Sequence, residues 1–159
     1  TTVSTVGIPS KFREFFARTR ADLALSLHAA DDARRTRLVP ANRHVGVAEL
    51  RTALLTALPP RRDVFVEVTL FAGVNDAPED ADRLLAWCRG LRVRVNLLPA
   101  NPGPDPDLVA PAPDAVWRFQ KRLLDGGLRA MVRHPHGQDV LGACGQLAGT
   151  RRAAKAGAA

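Results

Sequence analysis

Tyrosine is absent from the 159-residue chain, and aromatic residues make up only 5% of it. The two cysteines, Cys88 and Cys144, cannot form a disulfide framework, which excludes a small stapled scaffold and fits a reducing, cytoplasmic setting. No apolar run approaches membrane-spanning length, so no membrane partner is expected. The single methionine is Met131 and the chain opens Thr1-Thr2-Val3-Ser4, the pattern expected of a segment of a longer product.

What is present is an ordinary globular balance, 46% hydrophobic and 25% charged, in a length that suits one domain. The formal net charge is +7, and a basic surface gains counterion-release free energy on a polyanion. Nucleic acid is the partner this favours; a solvated arginine surface is the plainer explanation.

Five apolar, β-branched-rich runs read as strands: 2–5, 22–28, 64–71, 93–98 and 128–133. Helical spacing recurs in Val47, Leu50, Leu54, Leu55 and Leu58, and again in Ala77, Ala81, Leu84, Leu85 and Cys88, where Asp76 and Glu79 have a capping-box spacing. A third stripe, Val116, Phe119, Leu123 and Leu124, stops at Gly126-Gly127. Segments 10–20 and 31–38 are weaker helices. Strands alternating with helices, with no hairpin signal between them, predict α/β architecture: a parallel sheet built from β/α units, with about five strands. The domain is expected to span 1–149, with 150–159 a disordered basic tail.

Polar residues and glycines cluster after the strands, at Ser4-Thr5-Val6-Gly7, Ser26-Leu27-His28, Gly73-Val74-Asn75-Asp76, Asn96 to Asn101, and His134 to Gly137. In a parallel barrel these segments open on one face and predict a composite site. Cys88, on an apolar stripe beside Trp87, reads as a packed core thiol. His28, at the end of a strand, reads more readily as structural than as functional, and Asp31-Asp32 reads as a helix N-terminal charge pair. His134, His136 and Cys144 match zinc spacings poorly, so no metal site is expected. A Cys-His thiol hydrolase lacks an oxyanion motif. Cys144 stands out because Gly142 and Gly145 leave its sulfur little shielded.

Taken in order, Ser4-Thr5-Val6-Gly7, Leu25-Ser26-Leu27-His28-Ala29, Leu38-Val39-Pro40-Ala41-Asn42, Val74-Asn75-Asp76, Asn96-Leu97-Leu98-Pro99-Ala100-Asn101-Pro102 and Ala143-Cys144-Gly145-Gln146-Leu147 resemble one family. It is the carboxyl-terminal half of the radical S-adenosylmethionine (SAM) methyltransferases that modify adenine in 23S ribosomal RNA at carbon 2. A resistance-conferring subgroup acts at carbon 8, and some members also act on transfer RNA. The resemblance implies a partial β/α barrel that holds SAM and a 4Fe–4S cluster. It implies SAM contacts at Ser4, Ser26, Leu27, His28 and Asn101. Cys144 would be the catalytic cysteine that carries the methyl group before it passes to adenine.

The family's cluster-binding CxxxCxxC motif is absent, so the cluster's ligands are not in this chain and the chain alone is expected to be inactive. The missing amino-terminal half of the barrel becomes an expected partner, beside RNA. The alternative is a non-catalytic or divergent SAM- or RNA-binding relative that lacks the iron–sulfur cluster.

Overall fold

A computed structural model describes residues 1–101, 103 and 105–133. The expectations placed on His134, His136, Cys144 and the 150–159 tail lie outside the described residues. Five strands, β1 (Thr2–Thr5), β2 (Asp22–Ser26), β3 (Val64–Leu70), β4 (Val93–Pro99) and β5 (Arg129–Val132), form one parallel sheet in sequential order. The connecting helices are α1 (Pro9–Arg18), α2 (Asp32–Leu38), α3 (Val47–Ala57), α4 (Pro78–Cys88) and α5 (Pro113–Asp125). One turn of 3-10 helix, Pro40–Arg43, follows α2 and has no counterpart in the sequence pattern.

Proline sets several of these boundaries. Pro9, Pro78 and Pro113 each sit in the first helical turn, where the fixed φ suits the helix and the missing N–H has no intrahelical partner to lose. The capping residue of α4 is Ala77 rather than Asp76. The Asp80 carboxylate accepts from the Ala77 N–H at 3.2 Å, while Asp76 Oδ1 accepts from the Gly73 N–H at 2.8 Å inside the preceding loop. Helix α5 ends as its paired glycines suggest. Gly127 takes φ of +85°, the Leu128 N–H donates to the Leu123 carbonyl at 3.0 Å, and the Gly127 N–H donates to that of Leu124 at 2.9 Å. These two bonds satisfy carbonyls that the helix end would leave unpaired.

Alternation in the strands divides the sheet into two faces. Val64, Val66, Val68 and Leu70 of β3 are buried, whereas Phe65, Glu67 and Thr69 remain partly exposed. The buried set, with Leu23, Leu25, Val95 and Leu97, packs against Phe12 and Phe16 of α1, Leu50 and Leu54 of α3, Leu84 of α4, and Phe119 and Leu123 of α5. Burying each such side chain contributes roughly 1.5–3 kcal/mol. Sequential order with right-handed crossovers places all helices on one side, the arrangement of a β/α barrel and not of a doubly wound sheet. Five strands make an open part of such a barrel, and among the described residues no helix packs on the second face.

Candidate functional site

Parallel strands bring their carboxyl ends to one rim, and the loops there are cross-tied. Helix α2 is the hub. Asp31 caps it by accepting from the Arg34 N–H at 2.9 Å, and the two successive arginines then reach different loops. Arg34 Nε donates to the Val74 carbonyl in the loop after β3, at 3.0 Å. Arg35 turns inward and is 1% exposed. Its guanidinium donates to the carbonyls of Val6 at 2.6 Å, Leu27 at 3.1 Å and Ser26 at 3.4 Å, and to Asn42 Oδ1 at 2.8 Å. One buried side chain thereby fixes the loops after β1 and β2 to each other.

Asn42 carries this cation to an anion. Its Nδ2 donates to Asp32 Oδ1 at 2.9 Å, and the same oxygen accepts from the Val47 N–H at 2.9 Å at the start of α3. The Val47 and Asn42 bonds hold the Asp32 carboxyl below its usual range, against the opposing effect of burial. Burial lowers the Arg35 pKa, and the Asp32 charge counteracts it. The pair expected only as a helix N-terminal charge is thus divided: Asp31 caps α2, and Asp32 anchors α3.

Ser4 lies within β1, not in the loop after it, and pairs in register with Ala24; Ser26 closes β2, on the same face of the sheet. Strand β2 ends there, two residues earlier than the apolar run suggests. Leu27 and His28 both donate their N–H groups to the Glu67 carbonyl at 3.1 Å, and His28 adopts φ of +60°. Leu27 is fully buried, with its carbonyl held by Arg35 and by the Ala29 N–H at 2.8 Å.

His28 is tied on three sides. Its Nδ1 accepts from the Thr69 N–H at 3.1 Å, and its carbonyl accepts from Asn75 Nδ2 at 2.7 Å. Burial, and secondarily the Arg35 charge, lower its pKa to about 4, so the ring is neutral at physiological pH with its proton on Nε2. A left-handed backbone at a residue with a side chain is costly and persists only where surrounding contacts fix it. Asn75, 1% exposed, supplies several of them by also bonding the Phe71 N–H and the Thr69 carbonyl. Asn101 follows Ala100, whose N–H donates to the Leu70 carbonyl at 3.1 Å, so it stands at the carboxyl end of β4 beside the end of β3.

Ser26, Leu27, His28 and Asn101 therefore share the rim, with Ser4 one step deeper on β1. Cys88 does not belong to it. It is 1% exposed on α4, and burial pushes its thiol up to about 12, unsuited to a thiolate ligand. Among the described residues no group of three His, Cys, Asp or Glu side chains could hold a metal ion, and no helix is long and apolar enough to cross a membrane. Sequence reasoning missed Arg35 as a site residue, because in an arginine-rich helix nothing marks which guanidinium faces inward.

The chain is 52% identical over 151 residues to a probable RNA methyltransferase of Sorangium cellulosum, covering 95% of this chain and 38% of that protein. It is 42% identical over 162 residues to the dual-specificity RNA methyltransferase RlmN of a Marinomonas species, covering 97% of this chain and 44% of that one. The crystal structure of a radical SAM methyltransferase from Sphaerobacter thermophilus superposes with a TM-score of 0.86 at 38% identity, over 91% of this chain and 43% of its own. A domain of pyruvate-formate lyase-activating enzyme from Bacteroides vulgatus shares the fold at 17% identity, with a TM-score of 0.66. No family model matches the chain. The chain spans about two fifths of the length of the curated relatives it matches.

Proposed function

We propose that this homologue of the radical SAM RNA methyltransferases supplies the carboxyl-terminal, SAM-binding part of such an enzyme, one that methylates carbon 2 of adenine in 23S ribosomal RNA and acts on transfer RNA as well. The observation that carries this reading is the rim. Ser26, Leu27, His28 and Asn101 gather at the carboxyl ends of β2 and β4, with Ser4 on the adjoining strand and face, where barrel enzymes hold their ligands. The relatives carry the names of enzymes, which favours this over a non-catalytic binding module.

The residues present fit SAM, a polar ligand with a ribose, an adenine and an amino acid end. Ser4 and Ser26 offer hydroxyls on the uncovered face. A neutral His28 ring offers one donor without adding charge beside a sulfonium, and Asn101 offers an amide at the same rim. Arg35 does not reach into the site but holds its loops ready, so that binding need not order them. When bound, SAM supplies an activated methyl group. Cys144 is proposed as the thiol that takes the methyl before it passes to RNA, on the strength of its glycine-flanked sequence and the family resemblance.

A 4Fe–4S cluster does not fit this chain's own residues. Its cysteines are Cys88, buried and of raised pKa, and Cys144, so the ligands would come from the amino-terminal half. That half would pair along β1, whose residues Thr2 to Ser4 are exposed and which is followed by exposed Val6 and Ile8. RNA is the partner suited to the net charge of +7.

The test is a chimera in which this chain replaces the matched part of the Marinomonas relative. Labelled methyl should pass from SAM to adenine of a 23S ribosomal RNA fragment, and Cys144→Ala should abolish transfer while SAM binding is retained. Normal transfer by Cys144→Ala, or a folded chimera that never methylates RNA, would contradict the proposal.

A further inference from the structure

The uncovered face of the sheet carries a polar row in which Glu67 and Asn96 stand outside the proposed SAM contacts. Register places Ser26 of β2 beside Glu67 of β3, and Glu67 beside Asn96 of β4. The backbone carbonyl of Glu67 holds the Ser26-Leu27-His28 loop through the Leu27 and His28 N–H groups, so its side chain stands directly next to that loop's ligand-facing residue. Asn96 Nδ2 donates to Glu67 Oε1 at 2.8 Å. Asn96 is 2% exposed, and its Oδ1, buried, has no hydrogen-bond partner among the described residues.

A buried, unpaired amide oxygen is costly, and native structures retain one chiefly where something else supplies the donor. Asn96 gives one of its two amide N–H groups to Glu67, and the pair still presents Asn96 Oδ1 and the second Glu67 carboxylate oxygen as acceptors. Arg94, two residues earlier on the same face, is turned away to Asp63 at 2.9 Å. What the row lacks is therefore a ligand bearing O–H or N–H groups. Adjacent strands stand about 4.8 Å apart, and the hydrogen bond draws the two side chains together, a spacing that suits two donors on neighbouring carbons better than one point charge. A carboxylate set against sugar hydroxyls is also how dinucleotide-binding folds hold a ribose.

We infer that Glu67 and Asn96 form a recognition site for the vicinal hydroxyls of a nucleoside ribose, contiguous with Ser26 on the open face of the sheet. The inference rests on the proposed SAM reading, because Ser26 is the residue beside Glu67 in the row. Two riboses carry this chemistry, that of SAM and that of an RNA adenosine.

The experiment is a calorimetric titration of the chain with S-adenosylhomocysteine, its 2′-deoxy counterpart, an adenosine oligoribonucleotide and the matching oligodeoxyribonucleotide. Glu67→Gln keeps the size and an acceptor for Asn96, but turns the second oxygen into a donor that opposes a hydroxyl. It should weaken S-adenosylhomocysteine by about tenfold or more, with an unchanged unfolding midpoint. The 2′-deoxy compound should show a similar loss on the unaltered chain and no further loss on Glu67→Gln. The same coupling seen with the oligonucleotides instead would assign the ribose to RNA and still support the site.

Asn96→Leu removes the orphaned acceptor; it should leave stability level or raised while lowering affinity, whereas a merely structural Asn96 would destabilise when replaced. Losses that add between Glu67→Gln and the deoxy compound overturn the inference. So does unchanged affinity in Glu67→Gln while Ser26→Ala weakens binding, a result that would leave the SAM reading standing. A folded chain that binds neither S-adenosylhomocysteine nor the oligoribonucleotide overturns both.

Discussion

Arg35 Nη2 donates to the Val6 carbonyl at 2.6 Å across 29 residues of sequence, joining the loops that follow β1 and β2. This bond makes α2 a clamp on the rim, although α2 itself contributes nothing to the proposed contacts. Replacing the guanidinium would strand the Leu27 carbonyl and Asn42 Oδ1 in the interior and take their protein donor from the half-buried Val6 and Ser26 carbonyls. Arg35→Met should cost about 3–5 kcal/mol in chemical denaturation. Arg35→Lys should recover part of that, since one ammonium cannot reach every acceptor that the planar fork serves. Equal stability of Arg35→Met and the unaltered chain would remove the clamp from the account.

Stability should rise as pH climbs from about 4 to 6.5. The His28 pKa is about 4 in the folded chain against an ordinary value of 6.5, so across that window the unfolded state binds a proton that the folded state does not. The contribution is complete above 6.5 and vanishes below about 4. Asp32 and Asp63, both held low by hydrogen bonds, lose their contributions only at lower pH, below the ordinary carboxylate value of 3.8. Urea melts at several pH values should therefore show a slope that His28→Asn flattens between pH 4 and 6.5. An unchanged slope in that variant would place the titrating group elsewhere.

Cys88 should resist alkylation in the native chain. Its thiol is both buried and held protonated, so iodoacetamide treatment followed by peptide mapping should leave it unlabelled until denaturant is added. Rapid native labelling of Cys88 would show that α4 opens readily from the sheet.

Gly7 is confined in two ways. Its φ is +104°, and a Cβ built there would lie 2.3 Å from Leu50 Cδ2 on α3. Gly7→Ala should destabilise the chain by about 1–3 kcal/mol and loosen the loop after β1. A Gly7→Ala melt within a few tenths of a kcal/mol of the parent would mean that the loop has room to shift.

These effects separate what is legible in the sequence from what is not. Strands β1 to β5 are visible as apolar, β-branched-rich runs and the main helices as 3.6-residue apolar patterns, because burial imposes those patterns directly on the residues. Helix boundaries are less legible: Asp76 has the spacing of a cap, yet it closes the preceding loop while Asp80 bonds the true capping residue. Ser26, His28 and Asn101 stand out because they interrupt apolar runs at strand ends. Glu67 is concealed inside a strand, where a polar residue reads as the solvent side of the alternation, and Asn96, grouped in the sequence with the residues that follow a strand, lies within β4. Their face and mutual bond emerge only once the register is known. Arg35 is the least legible of all, since α2 also carries Arg34 and Arg37 and only the three-dimensional packing distinguishes the one that turns inward.

The central claim is that the rim binds SAM, and titration of S-adenosylhomocysteine into the folded chain tests it most directly. Saturable one-to-one binding is expected, weakened both by Ser26→Ala, through a lost contact, and by Arg35→Met, through released loops. A chain with native circular dichroism that gives no binding heat at any attainable ligand concentration would contradict it.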